Sequence, residues 1–408
     1  MPGPGAYLIG EEEKKEVLDV LESGYLVRFG KEDNPDFKRK VFLFEKEFAE
    51  YIGVKHCIGI CSGTSSLITC LAALGIGPGD EVITPGYTFV ACIGSIINAR
   101  AIPILAEINE SLTIDPEDIE KKITEKTKAI MPVHMLGNPC DMDAIIKIAK
   151  KNNLFIIEDF CQANGASYKG RKVGSIGNIG AVSLNWYKTI TVGDGGALVT
   201  NNDDLYEKAF GFHDQGHKPN RSGVEIGKRS IIGQNLRMNE LSGAVALAQV
   251  RKIDKIVKTL RGKKKRLKDI LINTPDYKFR KINDEEECAT LLTLIFNNAQ
   301  KANIFAEKIG TKPISNSGWH VYNNMEQILN KKVSTSFNCP FDCKEYGQKV
   351  EYKAHMLPKT DDILSRSVNI SVGVVDPGIG ASFGINILSS DGEIKEVGEK
   401  INSIIKTL

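Results

Sequence analysis

The stretch Leu154-Phe-Ile-Ile-Glu-Asp-Phe-Cys-Gln162 decides how the chain is read, because an apolar, β-branched run stops abruptly at two carboxylates and an amide. Such a run predicts a buried strand, and successive side chains of a strand alternate between the two faces of a sheet. One of Glu158 and Asp159 therefore points into the crevice beyond the strand's carboxyl end, and the other points to the opposite face. Taken alone, the pair serves equally well as a helix N-cap at Asp159. Further out, similar short runs at 56–60, 81–84, 102–106, 129–133 and 181–184 alternate with helical patterns at 65–74, 116–123 and 142–152. The alternation predicts an α/β fold: a mainly parallel sheet covered by helices, with ligands bound at the carboxyl ends of the strands.

The composition narrows the function. Among 408 residues, 53 Lys+Arg face 51 Asp+Glu, a net charge of +2, which lacks the basic footprint of a nucleic-acid binder. Charged residues break the greasiest segment, 90–108, before it reaches the length of a membrane span, and charges from Glu11 onward leave no room for a secretion signal. Nine cysteines without a CxxC pair read as reduced thiols of a cytoplasmic protein. The close pairs Cys57/Cys61 and Cys339/Cys343 lack the second half of a zinc site, so no metal is expected. A long helical stretch at 239–271 reads as a connection between domains, and its basic run at 261–266 as a solvated helix face. The predicted division is a large domain over 1–255, with an N-terminal helix at 11–22, and a smaller α+β domain over 256–408.

Three further segments carry chemistry. Twenty-nine residues after Asp159, Ser183-Leu-Asn-Trp-Tyr-Lys188 runs into the glycine-dense Gly193-Asp-Gly-Gly196. A lysine beyond a strand, flanked by apolar residues, has the surroundings that make an amine nucleophilic. Amine plus distant acid is the pairing of pyridoxal phosphate enzymes. Cys61-Ser-Gly-Thr-Ser-Ser66 leads from a strand into a helix N-terminus, where free N–H groups and hydroxyls favour an anion, although a plain capping turn fits as well. Thr84-Pro-Gly-Tyr-Thr-Phe89 leaves another strand end with an aromatic ring available for stacking. Two lookalikes carry less. His213-Asp-Gln-Gly-His217 imitates a zinc-protease motif without its glutamate, and Gly174, Gly177 and Gly180 precede a strand, where a dinucleotide loop would precede a helix.

With these segments stand Gly79-Asp-Glu-Val, Pro132-Val-His134 with Gly137, and Gly233-Gln-Asn-Leu-Arg-Met238, and in that order they resemble the DegT/StrS-type family of pyridoxal phosphate-dependent sugar aminotransferases. The resemblance implies fold type I, with a mainly parallel seven-stranded sheet in the large domain. It implies that Lys188 binds the cofactor covalently and shuttles protons, and that Asp159 partners the ring nitrogen. Gln162 would bond the phenolic oxygen and Phe89 would stack on the ring. Gly63, Thr64, Ser65 and Ser183 would meet the phosphate, and Asn235 would reach it from a neighbouring subunit, so that a homodimer shares its active sites. The family's dehydratase branch replaces the lysine with histidine, so Lys188 favours amino transfer from L-glutamate to a keto sugar. Met1-Pro-Gly, the 24–29 and 36–40 segments and Gly318-Trp-His-Val-Tyr-Asn-Asn324 look most like the subgroup that makes 8-amino-3,8-dideoxy-manno-octulosonate for lipopolysaccharide. Nucleotide-linked 3- or 4-keto hexoses are the alternative substrate class, and a non-catalytic cofactor-binding regulator the alternative role. Arg28, His217, Trp319, His320 and Tyr322 are the candidate substrate contacts, each with ordinary packing as its competing explanation.

Overall fold

The computed structural model describes residues 2–31, 33–219, 226–227, 229–334, 337–347 and 349–408; Met1 of the opening motif lies outside them. Seven strands form the central sheet: β1 (His56–Ile60), β2 (Glu81–Pro85), β3 (Ile102–Ala106), β4 (Thr127–Ile130), β5 (Phe155–Asp159), β6 (Ile179–Ser183) and β7 (Gly196–Thr200), in the order β1-β7-β6-β5-β4-β2-β3. Four pairings are parallel, and β7 runs antiparallel to both of its neighbours. All residues of β2, β6 and β7 are buried, as in strands covered on both faces. β7 escapes a reading of residues alone because a glycine pair opens it. Its Gly196 faces both Ser183 and Ile60 across the sheet, and a Cβ there would come within 2.6 Å of the Ser62 backbone. Only glycine lets that strand end lie against the 62–63 turn.

Glu158 takes the face of β5 opposite to Asp159. It is fully buried and accepts from the backbone N–H groups of Gly174 (2.8 Å), Ile176 (2.6 Å) and Gly177 (2.6 Å). His134 Nε2 lies 3.1 Å from the same carboxylate, while its Nδ1 accepts from the Cys140 N–H at 2.9 Å, so the bond to Glu158 is an N–H donation. The glycine series has a packing role: a Cβ at Gly174 would come within 2.4 Å of Phe160, and one at Gly177 within 2.9 Å of Ile156.

The predicted connecting helix is two helices, Glu240–Val250 and Ile253–Ile270, divided where Arg251 reaches Glu47 and Lys252 reaches Glu13. The second helix packs on Asp391–Ile405 and leads to a three-stranded antiparallel sheet of β8 (Tyr277–Phe279), β9 (Leu291–Phe296) and β10 (Ser367–Ser371). Its basic run is not wholly solvated. Lys264 is buried on Glu287, which also holds the buried Arg280 at 3.0 Å, and burial lowers the lysine's pKa to about 8. The reading of every cysteine as a free thiol also needs correction, because Cys339 and Cys343 form a disulfide. A turn brings their Cα atoms to 5.3 Å, within bridging reach. Among the described residues, no helix is long and apolar enough to cross a membrane, and no group of side chains has the makings of a metal site.

Glu158→Ala leaves three backbone donors buried without an acceptor, and should cost roughly 3 kcal/mol or more of stability. An unchanged urea midpoint would contradict this clasp.

Candidate active site

A cavity of about 510 Å³ opens at the carboxyl ends of β1, β5 and β6, walled on its far side by Thr290, Val374, Asp376 and Gly378 of the smaller sheet region. At one end Ser62 caps the helix Gly63–Ala73, its hydroxyl accepting from the Ser65 N–H at 3.0 Å. The N–H groups of Gly63 and Thr64 have no helical acceptor, and with the helix dipole they favour an anion. Gly63 is forced here: a Cβ would sit 2.6 Å from that of Ser183, the residue that completes this wall. Ser183 Oγ accepts from the Asn185 N–H at 3.2 Å, which leaves its own proton to donate.

At the middle of the cavity lie Asp159, Gln162, Phe89 and Lys188. Asp159 is 3% exposed; its Oδ1 accepts from the Cys161 N–H at 2.9 Å and its Oδ2 lies 2.8 Å from Cys92 Sγ. Gln162 Oε1 accepts from the Leu136 N–H at 2.9 Å, so the amide's free end is its donor. Phe89 lies nearly parallel to Trp319, with ring centroids 6.2 Å apart, and 5.3 Å from the His320 ring. Burial and the nearby Lys188 charge lower the His320 pKa to about 3. Ser317 Oγ donates to the Gly378 carbonyl and therefore accepts from His320 Nδ1–H at 3.0 Å, which leaves Nε2 as an acceptor. Trp186 and Tyr187 are exposed, and Tyr187 lines the cavity beside Lys188; the charged and polar neighbours of Lys188 include Cys161 and His320.

The cavity thus gathers Gly63, Thr64, Phe89, Asp159, Gln162, Ser183, Lys188, Trp319 and His320. Ser65 turns its hydroxyl to Ser62 and is absent from the lining. Asn235 is exposed and also outside it. Three of the expected substrate contacts belong to packing. Arg28 is buried against Glu45 (2.6 Å) and the carbonyl of Gly59 in β1 (3.0 Å). His217 is buried with Nδ1 2.8 Å from Arg229. Tyr322 is wholly buried, its hydroxyl between Asp361 and the Leu357 N–H. Each is polar, and each has a partner in the fold that spacing alone does not reveal. Cys161, Asn185, Asp194 and Asp376 line the cavity without having been anticipated. Cys161 had a signal, since it stands two residues after Asp159; Asp376 had none, since it arrives from the other end of the chain.

The model of the DegT/DnrJ/EryC1/StrS aminotransferase family matches residues 8–374, and the chain belongs to that family. It is 40% identical over 243 residues to GDP-perosamine synthase of Caulobacter vibrioides, a match covering 59% of this chain and 62% of the relative, so less than two thirds of that protein's length is spanned. Among solved structures it resembles an aminotransferase from Psychrobacter cryohalolentis (TM-score 0.77, 27% identity, 100% of this chain and 99% of the other). It also resembles NtdA of Bacillus subtilis, solved with bound cofactor PMP (TM-score 0.74, 26% identity, 99% and 84% covered). Pyridoxal 5′-phosphate is accordingly the cofactor, and the residues present suit it. A cradle that a single Cβ would fill takes a phosphate, a buried carboxylate can face a ring nitrogen, and an amide held by its oxygen offers N–H to a phenolic oxygen.

Two outcomes are expected. Gly63→Ala, which drives a methyl into Ser183, should weaken retention of pyridoxal 5′-phosphate by about tenfold or more, measured by equilibrium dialysis. The His320 ring should show no titration between pH 5 and 9 by NMR. In the unfolded chain it binds a proton near 6.5 and in the folded chain only near 3, so its contribution to stability falls as pH drops below 6.5. His320→Gln should lack that part of the acid loss.

Proposed function

We propose that the protein is a pyridoxal phosphate-dependent aminotransferase that moves the amino group of L-glutamate to a nucleotide-linked keto hexose, in the cytoplasm. The carrying observation is that a lysine and an acid 29 residues apart in sequence line one cavity beside an anion-binding helix start. In this reading Lys188 would hold the cofactor through its Nζ and, as a free amine, would carry the proton that leaves the donor's α-carbon. When bound, pyridoxal 5′-phosphate supplies the aldehyde that receives the amine and a ring that delocalises the charge left on that carbon. Asp159 keeps the proton on the ring nitrogen, and Gln162 donates to the phenolic oxygen. The N–H groups of Gly63 and Thr64, with the Ser183 hydroxyl, hold the phosphate. Phe89 covers the ring, and His320, held neutral, offers Nε2 as an acceptor to a substrate hydroxyl.

Likeness to a protein named for making GDP-perosamine supports a nucleotide-linked sugar over the 8-keto octulosonate suggested by short matches. Of the candidate contacts in the segments that suggested the octulosonate, Trp319 and His320 line the cavity, while Arg28 and Tyr322 are held by partners in the fold. A homodimer completes the proposal: Asn235, exposed and outside its own cavity, would serve the phosphate of a second copy.

The test is mass spectrometry of products from ¹⁵N-glutamate and a panel of nucleotide-linked keto hexoses alongside the 8-keto octulosonate. Label is expected in an amino hexose, and Lys188→Ala should lower its rate by about a hundredfold or more. Transfer to none of the sugars, with the cofactor bound, would leave a non-catalytic regulator as the better reading.

A further inference from the structure

The carboxylate of Asp159 is gripped from behind. Cys92 stands in the first turn of the helix Val90–Asn98, is fully buried, and does not line the cavity, so no ligand reaches it. Its Sγ lies 2.8 Å from Asp159 Oδ2 and accepts from Thr88 Oγ1 at 2.9 Å. The other oxygen of Asp159 accepts from the Cys161 N–H. Both oxygens are thus held, one from beyond the end of their own strand and one from a helix whose N-cap is Phe89. The same turn carries the segment opposite, since the Thr88 and Val90 N–H groups donate to the carbonyls of His320 and Trp319 at 2.9 Å.

Burial and the charge of Asp159 push the Cys92 thiol well above its ordinary range, as they do those of Cys70 and Cys161. A thiol that does not ionise remains a donor, and a donor to a carboxylate favours its charged form. The bond therefore gives Asp159 Oδ2 a side-chain donor to match the backbone donor on Oδ1, so that both oxygens of the buried carboxylate are fixed.

We propose that Cys92 is a positioning residue of this site, its S–H to Asp159 Oδ2 fixing the carboxylate in the orientation that directs it into the cavity, where it would meet the ring nitrogen of the cofactor. The inference rests on the cofactor-site reading above. The competing explanation is that Cys92 only fills space. Serine and alanine separate the two, because they are close in size and only serine donates.

The experiment compares full-length parent, Cys92→Ser, Cys92→Ala and Cys92→Val, each loaded with pyridoxal 5′-phosphate. It reads the cofactor's dissociation constant and the pH midpoint of the lysine-bound cofactor's absorption band. Serine should match the parent. Alanine and valine, which differ in volume but share the lost donor, should both loosen the cofactor by about tenfold and move the midpoint upward by about half a unit. If alanine does not fold, valine against serine carries the comparison. Parent-like values in the folded donor-less variants, or a serine variant as impaired as they are, would overturn the role of Cys92 and leave the cofactor site standing. A parent that binds no cofactor would overturn both.

Discussion

Two adjacent carboxylates at the end of one buried strand face opposite ways, and the site depends on that opposition. Glu158 collects three backbone N–H groups and an imidazole on the far side of the sheet, tying down the loop that precedes β6. β6 ends at Ser183, against the start of the helix Gly63–Ala73, and leads into Lys188. The structural acid thus sets the neighbouring strand whose end supplies the amine, while its neighbour in sequence, Asp159, faces that amine's cavity. A one-residue slip of β5 would exchange the two carboxylates between clasp and cavity, because strand side chains alternate with a period of two.

The charges within the cavity follow from the same economy. Its lining holds one lysine and the acids Asp159, Asp194 and Asp376, and the histidine there is kept neutral by burial. Positive potential for an anion comes instead from backbone N–H groups at a helix start, which need no counter-charge and lose no side-chain entropy on binding. The close approach of three chain segments at that point requires glycine at 63 and 196, since a methyl at either would meet backbone or Ser183 at 2.6 Å.

Much of this was legible in the residues. The alternation of short apolar runs with helical patterns marked six of the seven strands of the main sheet, and the acid, amine and helix-start motifs each stood at a strand end. What local spacing did not show has definite reasons. Arg28, His217 and Tyr322 look like site residues because they are polar and sit in motif-rich segments. Their partners Glu45, Arg229 and Asp361 lie 17, 12 and 39 residues away and are invisible to local spacing. Lys264 shows the same limit in reverse: it reads as part of a solvated run, yet the turn of its helix buries it on Glu287.

The sequence by itself determined the fold class, the strand ends where chemistry gathers, and the residue types that suit a phosphate, a pyridine ring and an imine-forming amine, because periodicity and turn chemistry are local properties of the chain. Only the tertiary structure decided which of two neighbouring acids faces the cavity and that a thiol 67 residues from Asp159 holds it. It also decided that the far wall is built from residues 290 onward. Those are matters of register and of contacts between distant segments, and they exist only once the sheet is assembled.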